Sequence, residues 1–227
     1  MHTTASDGVA PVRELLNYIA RKRSHLNVIA ITDHDTLDAA LWACDHQDHY
    51  PFEIVPGIEV TSRIGHILAL WVTTPIPARM DLNDTVAAIH EAGGLAVLAH
   101  PFHIEMDFVR QNALRYGREP QVLLESGLDA VEVHNAGLVT PGSNLVARLM
   151  AKRIGIAVTG SSDAHTPGAV GSGVTRFMGS TAAELRYALD HKLTTAEGTA
   201  WLVTEYIKYL QHAGQRMAKQ SLAQHPS

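Results

Sequence analysis

The chain has 227 residues, 46% of them apolar, with 18 Lys and Arg against 23 Asp and Glu, a formal net charge of -5. That length holds one large α/β domain with a sizeable core. The acidic balance argues against loose nucleic-acid binding, which rests on clustered Lys and Arg, but leaves a small phosphate-bearing substrate open, because bound cations reverse a local field. The single cysteine, Cys44, excludes an internal disulfide and fits a reducing compartment. No apolar stretch is long enough to span a membrane and no signal-peptide pattern opens the chain, so cytoplasm is the expected location and no membrane partner is expected.

In chain order, residues 1–8 read as a loop. Pro11 opens a helix carrying Val12, Leu15, Leu16 and Ile19 at helical spacing, with Arg21, Lys22 and Arg23 near its C-terminal end. Val28–Ile31 is a short β-branched run that reads as a strand buried on both faces. A helix follows from about Leu37 to His46, with Cys44 on its apolar face. Glu53–Glu59 and His66–Val72 are the next strands, the second beginning with its histidine. Asp84 is expected to cap a helix carrying Val86 and Ile89, closed by Gly93-Gly94. A strand ends at His100, and a polar segment with Arg110, Arg115 and Arg118 runs to about Pro120. Ala130–Val133 is a strand running into His134. Thr140-Pro141-Gly142 leads into a helix with Leu145 and Leu149, and Ile156–Thr159 is a strand running into Gly160. A glycine-rich loop surrounds Gly168, Gly171 and Gly173, and Thr181 with Glu184 forms a capping box. A last amphipathic helix holds Val203, Tyr206, Ile207 and Leu210, and the polar tail from about Gln215 is expected to fray. The expected division is a domain over 1–198, with 199–227 a C-terminal helix and tail packed on or trailing from it.

The strands share a grammar: each delivers His, Asp or Glu at one end. Ile31 runs into Asp33-His34-Asp35, Ile58 into Glu59, Ala99 into His100, Val133 into His134, and Thr159 into the run that holds Asp163 and His165. Strands that gather polar residues at their C-terminal ends are what an α/β barrel needs to build a site on one face. The chain holds 14 histidines. His25, His46, His49, His90, His191, His212 and His225 sit in polar or helical contexts and are expected outside the site. The ligand candidates are His2, Asp7, His34, Glu59, His66, His100, Asp163 and His165. All offer nitrogen or oxygen and none sulfur, which suits Zn, Mn or Fe in an open hydrolytic site, and eight candidates exceed what one ion uses. No nucleophile elbow or P-loop competes for the catalytic role.

Six stretches carry a resemblance: His2–Gly8, Ile31–Thr36, Val55–Glu59, Gly65–Leu68, Ala92–Pro101 and Gly160–His165. Taken in order they resemble the successive motifs of the PHP (polymerase and histidinol phosphatase) superfamily. The branch they look most like acts on nucleoside 3′,5′-bisphosphates and short RNA, but the helical insertion of that branch is absent here. The resemblance implies a distorted (β/α)7 barrel whose first strand is missing, with two to three divalent metal ions at the strand ends. Glu59 would bridge two ions, His2 and Asp163 joining it at one and His66 and His100 at another. Asp7, His34 and His165 would hold a third. It further implies hydrolysis of a phosphomonoester by a metal-bridging hydroxide, with Glu59, His34, Asp163 and His165 at the reaction centre. Asp33 and Asp35 are candidates for orienting imidazoles or for a plain turn role. Arg63, His103, Arg110, Arg115, Arg118 and His134 are candidate substrate contacts. The expected partner is a small phosphorylated substrate, a nucleotide or short RNA among them, without stable DNA binding. The alternatives are a sugar or amino-alcohol phosphatase like histidinol phosphatase, and a degenerate metal-binding module without turnover. Met1 stands between two histidines of the family's opening motif, so the reading frame is expected to continue upstream with a short strand ending Asp-x-His.

Overall fold

The structure, a computed structural model, describes residues 1–103, 114–137 and 140–224, with side chains of the last helix described as far as Ala218. In chain order the elements are α1 (Val12–Lys22), β1 (Val28–Ile31), α2 (Asp38–Asp45), β2 (Glu53–Ser62), β3 (Gly65–Leu70), α3 (Leu82–Glu91), β4 (Leu95–Leu98), α4 (Gln121–Glu125), β5 (Ala130–Asn135), α5 (Ser143–Ile154), β6 (Ala157–Ser161), β7 (Gly173–Arg176), α6 (Ala182–Asp190), β8 (Thr195–Gly198) and α7 (Val203–Gln224).

Six strands form one curled sheet in the order β1-β2-β3-β4-β5-β6. β3 runs antiparallel to both neighbours and the remaining pairs are parallel. The C-terminal ends of β1, β2, β4, β5 and β6 therefore share one face with the N-terminal end of β3. This is why His66 lies at the start of its strand while His34, His100 and Asp163 lie just past the ends of theirs; Glu59, expected to end β2, sits inside it, because β2 continues to Ser62 in its pairing with β3. Period-two alternation sends side chains to two apolar clusters. Ile58, Ile67, Ala96 and Val131 pack outward with α1, α2, α3 and α5. Val55, Leu70, Val97 and Ala130 point into the curl, where Leu189 of α6 joins them.

The seven-stranded barrel expected from the sequence is not completed among the described residues. β1 and β6 keep open edges that flank a cavity of about 390 Å³ inside the curl. Residues 1 and 2 bridge the two edges at the polar end, the Thr32 N–H donating to the Met1 carbonyl and the His2 N–H to that of Ala164, both at 2.9 Å. The segment read as a glycine-rich loop instead yields β7, which pairs with β8 in an antiparallel ribbon against β6. The Thr175 hydroxyl ties that ribbon to Gly160.

Three local expectations change. The residue ahead of α3 is Asp81, so Asp84 lies in the first turn rather than at the cap. On α5 the buried positions are Ser143, Ala147, Met150, Ala151 and Ile154, leaving Leu145 and Leu149 outside. α7 does not fray at Gln215 but continues to Gln224. Three residues of its expected apolar stripe also face solvent, Val203 being 73% exposed, Ile207 48% and Leu210 66%, while the fourth, Tyr206, packs on Trp201 with ring centroids 5.0 Å apart. The capping box of α6, with Thr181 and Glu184 bonded reciprocally, is present. Among the described residues no helix is long and apolar enough to cross a membrane.

Candidate metal centre

At the polar end of the sheet, Glu59 of β2 is buried and surrounded by imidazoles. Its Oε1 lies 2.9 Å from His66 Nδ1 and 3.1 Å from His100 Nε2, and its Oε2 lies 3.1 Å from His2 Nε2. His2 Nε2 is also 3.1 Å from Asp163 Oδ1. On the far side of His2, Asp7 Oδ2 lies 3.1 Å from His165 Nε2 and 3.9 Å from His34 Nε2. The His2 and His165 rings stack with centroids 4.2 Å apart. Three groups have ligand atoms within 4.8 Å of one another: His2, Asp7, His34 and His165; His34, Glu59 and His66; His2, Glu59 and Asp163. The groups interlock, His2, His34 and Glu59 each serving two. The structure thus brings all eight sequence candidates together, His100 through its contact with Glu59.

Local folding sets these positions. Asp33 accepts from Thr3 N at 2.7 Å, Thr3 Oγ1 at 2.8 Å and Ser6 Oγ at 2.6 Å, which holds the loop carrying His2 and Asp7 against β1. Asp35 accepts from Thr61 N at 2.7 Å. Both carboxylates brace backbone or hydroxyl groups. Gly8 closes the loop, since a Cβ there would run into the His2 carbonyl. His100 and Asp163 hold φ of 28° and 47°, a left-handed backbone that costs roughly 1–3 kcal/mol at a non-glycine residue and clusters at functional sites.

Three comparisons bear on this arrangement. A PHP-associated family model matches residues 141–192. An uncharacterized protein of Methanocaldococcus jannaschii is 32% identical over 96 residues, covering 42% of this chain and 55% of that protein. A two-domain Bacteroides vulgatus protein containing a predicted PHP-like metal-dependent phosphoesterase superposes with a TM-score of 0.69 at 19% identity, over 88% of this chain and 63% of that one. The chain thus shares the fold of PHP-like proteins and a PHP-associated match over residues 141–192. The fold is also similar to that of the lesion-specific endonuclease Q of Pyrococcus furiosus, with a TM-score of 0.56 at 16% identity, over 84% of this chain and 54% of that one. The chain spans about half the length of the curated relatives it matches.

The electrostatics of this site show a demand for positive charge. Burial disfavours ionisation of Glu59, yet bonds from His100, His2 and His66 hold its carboxyl well below the usual range. Burial likewise opposes the charged forms of Asp7 and Asp163, and contacts with His165 and His2 pull both down. For the imidazoles burial opposes protonation, but bonds to Asp163 and Glu59 push His2 up to about 10, and Glu59 pushes His100 up to about 9. Protons on histidine stand where cations would compensate the three carboxylates. His2 Nδ1 is buried and makes no hydrogen bond, with Asp7 Oδ1 3.6 Å away. An all-nitrogen and oxygen donor set with an unspent buried imidazole nitrogen fits divalent ions.

The remaining candidates scatter. The His103 ring stands 5.7 Å from that of His100. Arg63 is exposed and lies 3.5 Å from Asp81. Arg115 and Arg118 are exposed, and Arg110 lies outside the described residues. His134, expected near the site, is in none of the three groups; it sits under the ribbon, where a Cβ on Gly198 would fall 2.7 Å from its Nε2. Of the histidines expected outside, His90 pairs with Asp129 at 2.9 Å, while His46 and His191 stack on Trp42 and Tyr187. His225 lies outside the described residues.

Sequence reasoning missed two supports. Glu132 of β5, fully buried and pushed up by that burial, accepts from His100 N at 2.8 Å, Asn135 Nδ2 at 2.9 Å and the Ser161 hydroxyl. Asn135 Nδ2 also reaches Asp163 Oδ2 at 3.1 Å. The signal was a glutamate flanked by Val131 and Val133 inside a strand. The second support is α7 with the residues before it. Trp201 donates to the Ser162 carbonyl at 2.6 Å, Glu205 accepts from Thr166 at 2.6 Å, and the Tyr209 hydroxyl lies 3.4 Å from Asp7 Oδ2. Arg216 donates to the Ser6 carbonyl. Each contact falls on a ligand candidate or its immediate neighbour.

Proposed function

We propose that the chain is a metal-dependent phosphoesterase that hydrolyses a small phosphomonoester, a nucleotide among the candidates. The observation that carries this reading is Glu59, a buried carboxylate in contact with three imidazoles at the shared face of the strand ends. In this reading His2, Glu59 and Asp163 would hold one divalent ion, Glu59, His66 and His100 a second, and Asp7, His34 and His165 a third. Mn, Zn and Fe all suit the donor set. Such ions supply Lewis acidity toward phosphoryl oxygens and make water more acidic.

The chain's own residues do the rest. Glu59 keeps its charge despite burial and fixes the three rings around it. Glu132 holds the His100 backbone, so that ring is placed from both sides. Asn135 aims the outer oxygen of Asp163. Asp33 clamps the loop that carries His2 and Asp7. His103, beside His100, is the candidate to hand a proton to the leaving oxygen.

Fold relatives include an endonuclease, so the ester class needs a direct test. Manganese-loaded protein should release 4-nitrophenol from 4-nitrophenyl phosphate and do so much more slowly from bis(4-nitrophenyl) phosphate. Preference for the diester would move the reading to a nuclease. No turnover of either, with metal bound, would favour a binding module without catalysis.

A further inference from the structure

The last helix is inside out. A surface helix ordinarily turns its apolar stripe to the core. In α7 the apolar residues Val203, Ile207 and Leu210 face solvent, while Glu205, Tyr209 and Arg216 face the chain. Their spacing, four and then seven residues, keeps all three on one helical face. That face meets the two loops that carry His2, Asp7, Asp163 and His165. Between helix and loop lies a pocket of about 200 Å³ lined by Asp7, Tyr209, Ala213, Arg216 and Met217. Such a volume is roughly six to seven waters' share of liquid, the size of a small organic group.

We propose that the inner face of α7 is the substrate wall of this site, with Arg216 the residue that binds the substrate's phosphoryl oxygens and Ala213 and Met217 setting the size of the leaving group. The inference rests on the phosphoesterase reading and assigns its recognition element. Three observations carry it. Arg216 lines the same pocket as Asp7, and its bond to the Ser6 carbonyl places its guanidinium one residue from that ligand candidate. Arg63, by contrast, lies beside Asp81 at the surface, and Arg115 and Arg118 are exposed. A guanidinium fork matches phosphate geometry and stays charged at any working pH, which a site already rich in carboxylates needs to hold an anion. The Tyr209 ring, 4.7 Å from the His165 ring, gives the pocket a flat side next to its hydroxyl. A wall this close leaves room for a small leaving group and little for a polymer strand.

The test is titration of inorganic phosphate into manganese-loaded protein, which needs no turnover. Arg216→Ala should weaken phosphate binding at least tenfold, Arg216→Lys should recover part of it, and Arg153→Ala, an exposed arginine of α5, should leave it unchanged. Metal content and metal affinity should be the same in all four proteins. Ala213→Phe should retain phosphate binding while slowing turnover of 4-nitrophenyl phosphate. Phosphate binding by Arg216→Ala equal to the parent's overturns the proposal. So does a parallel fall in metal affinity, which would make Arg216 a brace for the 1–8 loop. Arginine-dependent phosphate binding without hydrolysis would sink the catalytic reading and leave this one standing. Hydrolysis indifferent to Arg216, with phosphate binding unchanged, would do the reverse.

Discussion

The two sides of the candidate site are built on opposite principles. On the sheet side the imidazoles and carboxylates come from the strands and their following loops, with His2 and Asp7 added by the clamped 1–8 loop, and the group at the centre, Glu59, is buried and touched from three directions. On the helix side α7 contributes a polar inner face at contacts up to 3.4 Å, under apolar residues turned to solvent. The contrast separates placement by register from placement by docking. A strand residue is fixed by hydrogen-bond ladders on both sides, whereas α7 is held by a few side-chain bonds. The sheet side should therefore govern metal affinity and stability, and the helix side recognition.

The largest expected effect is at the centre of the sheet side. Glu59→Gln removes the charge that three imidazoles share, and turnover should fall at least ~100-fold with loss of bound metal, since a ligand change exceeds the 10–100-fold typical of its supporting partners. Kinetics and metal analysis on the same preparation check this. Activity within a few-fold of the parent would reduce Glu59 to a structural carboxylate.

Next is Glu132, behind His100. Glu132→Leu leaves the buried His100 N–H without its acceptor, which costs about 1–3 kcal/mol, and should lower metal affinity or activity about 10–100-fold. Glu132→Gln should recover most of the stability. A Leu variant as stable and active as the parent would show that His100 is held from the Glu59 side alone.

The pH dependence of stability tests the same side without metal. His2 and His100 are raised from 6.5 to about 10 and about 9. A raised histidine contributes stability that is fully present below its unfolded value and is lost as pH rises through the folded value. Chelated protein should therefore lose thermal stability between pH 6.5 and about 10. Metal-loaded protein should lose less, because ligating imidazoles are already deprotonated. Equal slopes would mean that the carboxylates do not hold those protons.

These cases also mark what was legible in the sequence. Ligand types recur at strand ends because a buried strand can carry polar residues only where it leaves the core, so His34, Glu59, His66 and His100 stand out against apolar runs. Curl and open edges were not visible, because pairing of β1 and β6 is a property of the sheet and not of either strand. The β7–β8 ribbon was hidden by glycines that read as loop. Glu132 was passed over for the neighbouring His134, although a charge inside an apolar strand is the stronger sign of a buried polar network. The facing of α7 could not be read at all. Val203, Tyr206, Ile207 and Leu210 give a normal amphipathic pattern, and docking onto a polar site leaves only Tyr206 of the four against the core.

The smallest expected effect follows from that inversion. Ile207→Ser on the outer face should change stability by no more than about 0.5 kcal/mol, as for an ordinary surface substitution. A loss of 2 kcal/mol or more in chemical denaturation, the range of a core deletion, would mean that Ile207 is covered and that α7 faces the way its sequence pattern implies.

The central claim is that interlocked groups around Glu59 hold more than one divalent ion. Elemental analysis of protein purified without chelator and reconstituted with Mn²⁺, Fe²⁺ or Zn²⁺ tests it most directly. The account predicts two to three ions per chain, falling in Glu59→Gln. A chain that retains one ion or none after reconstitution with any of the three would contradict it.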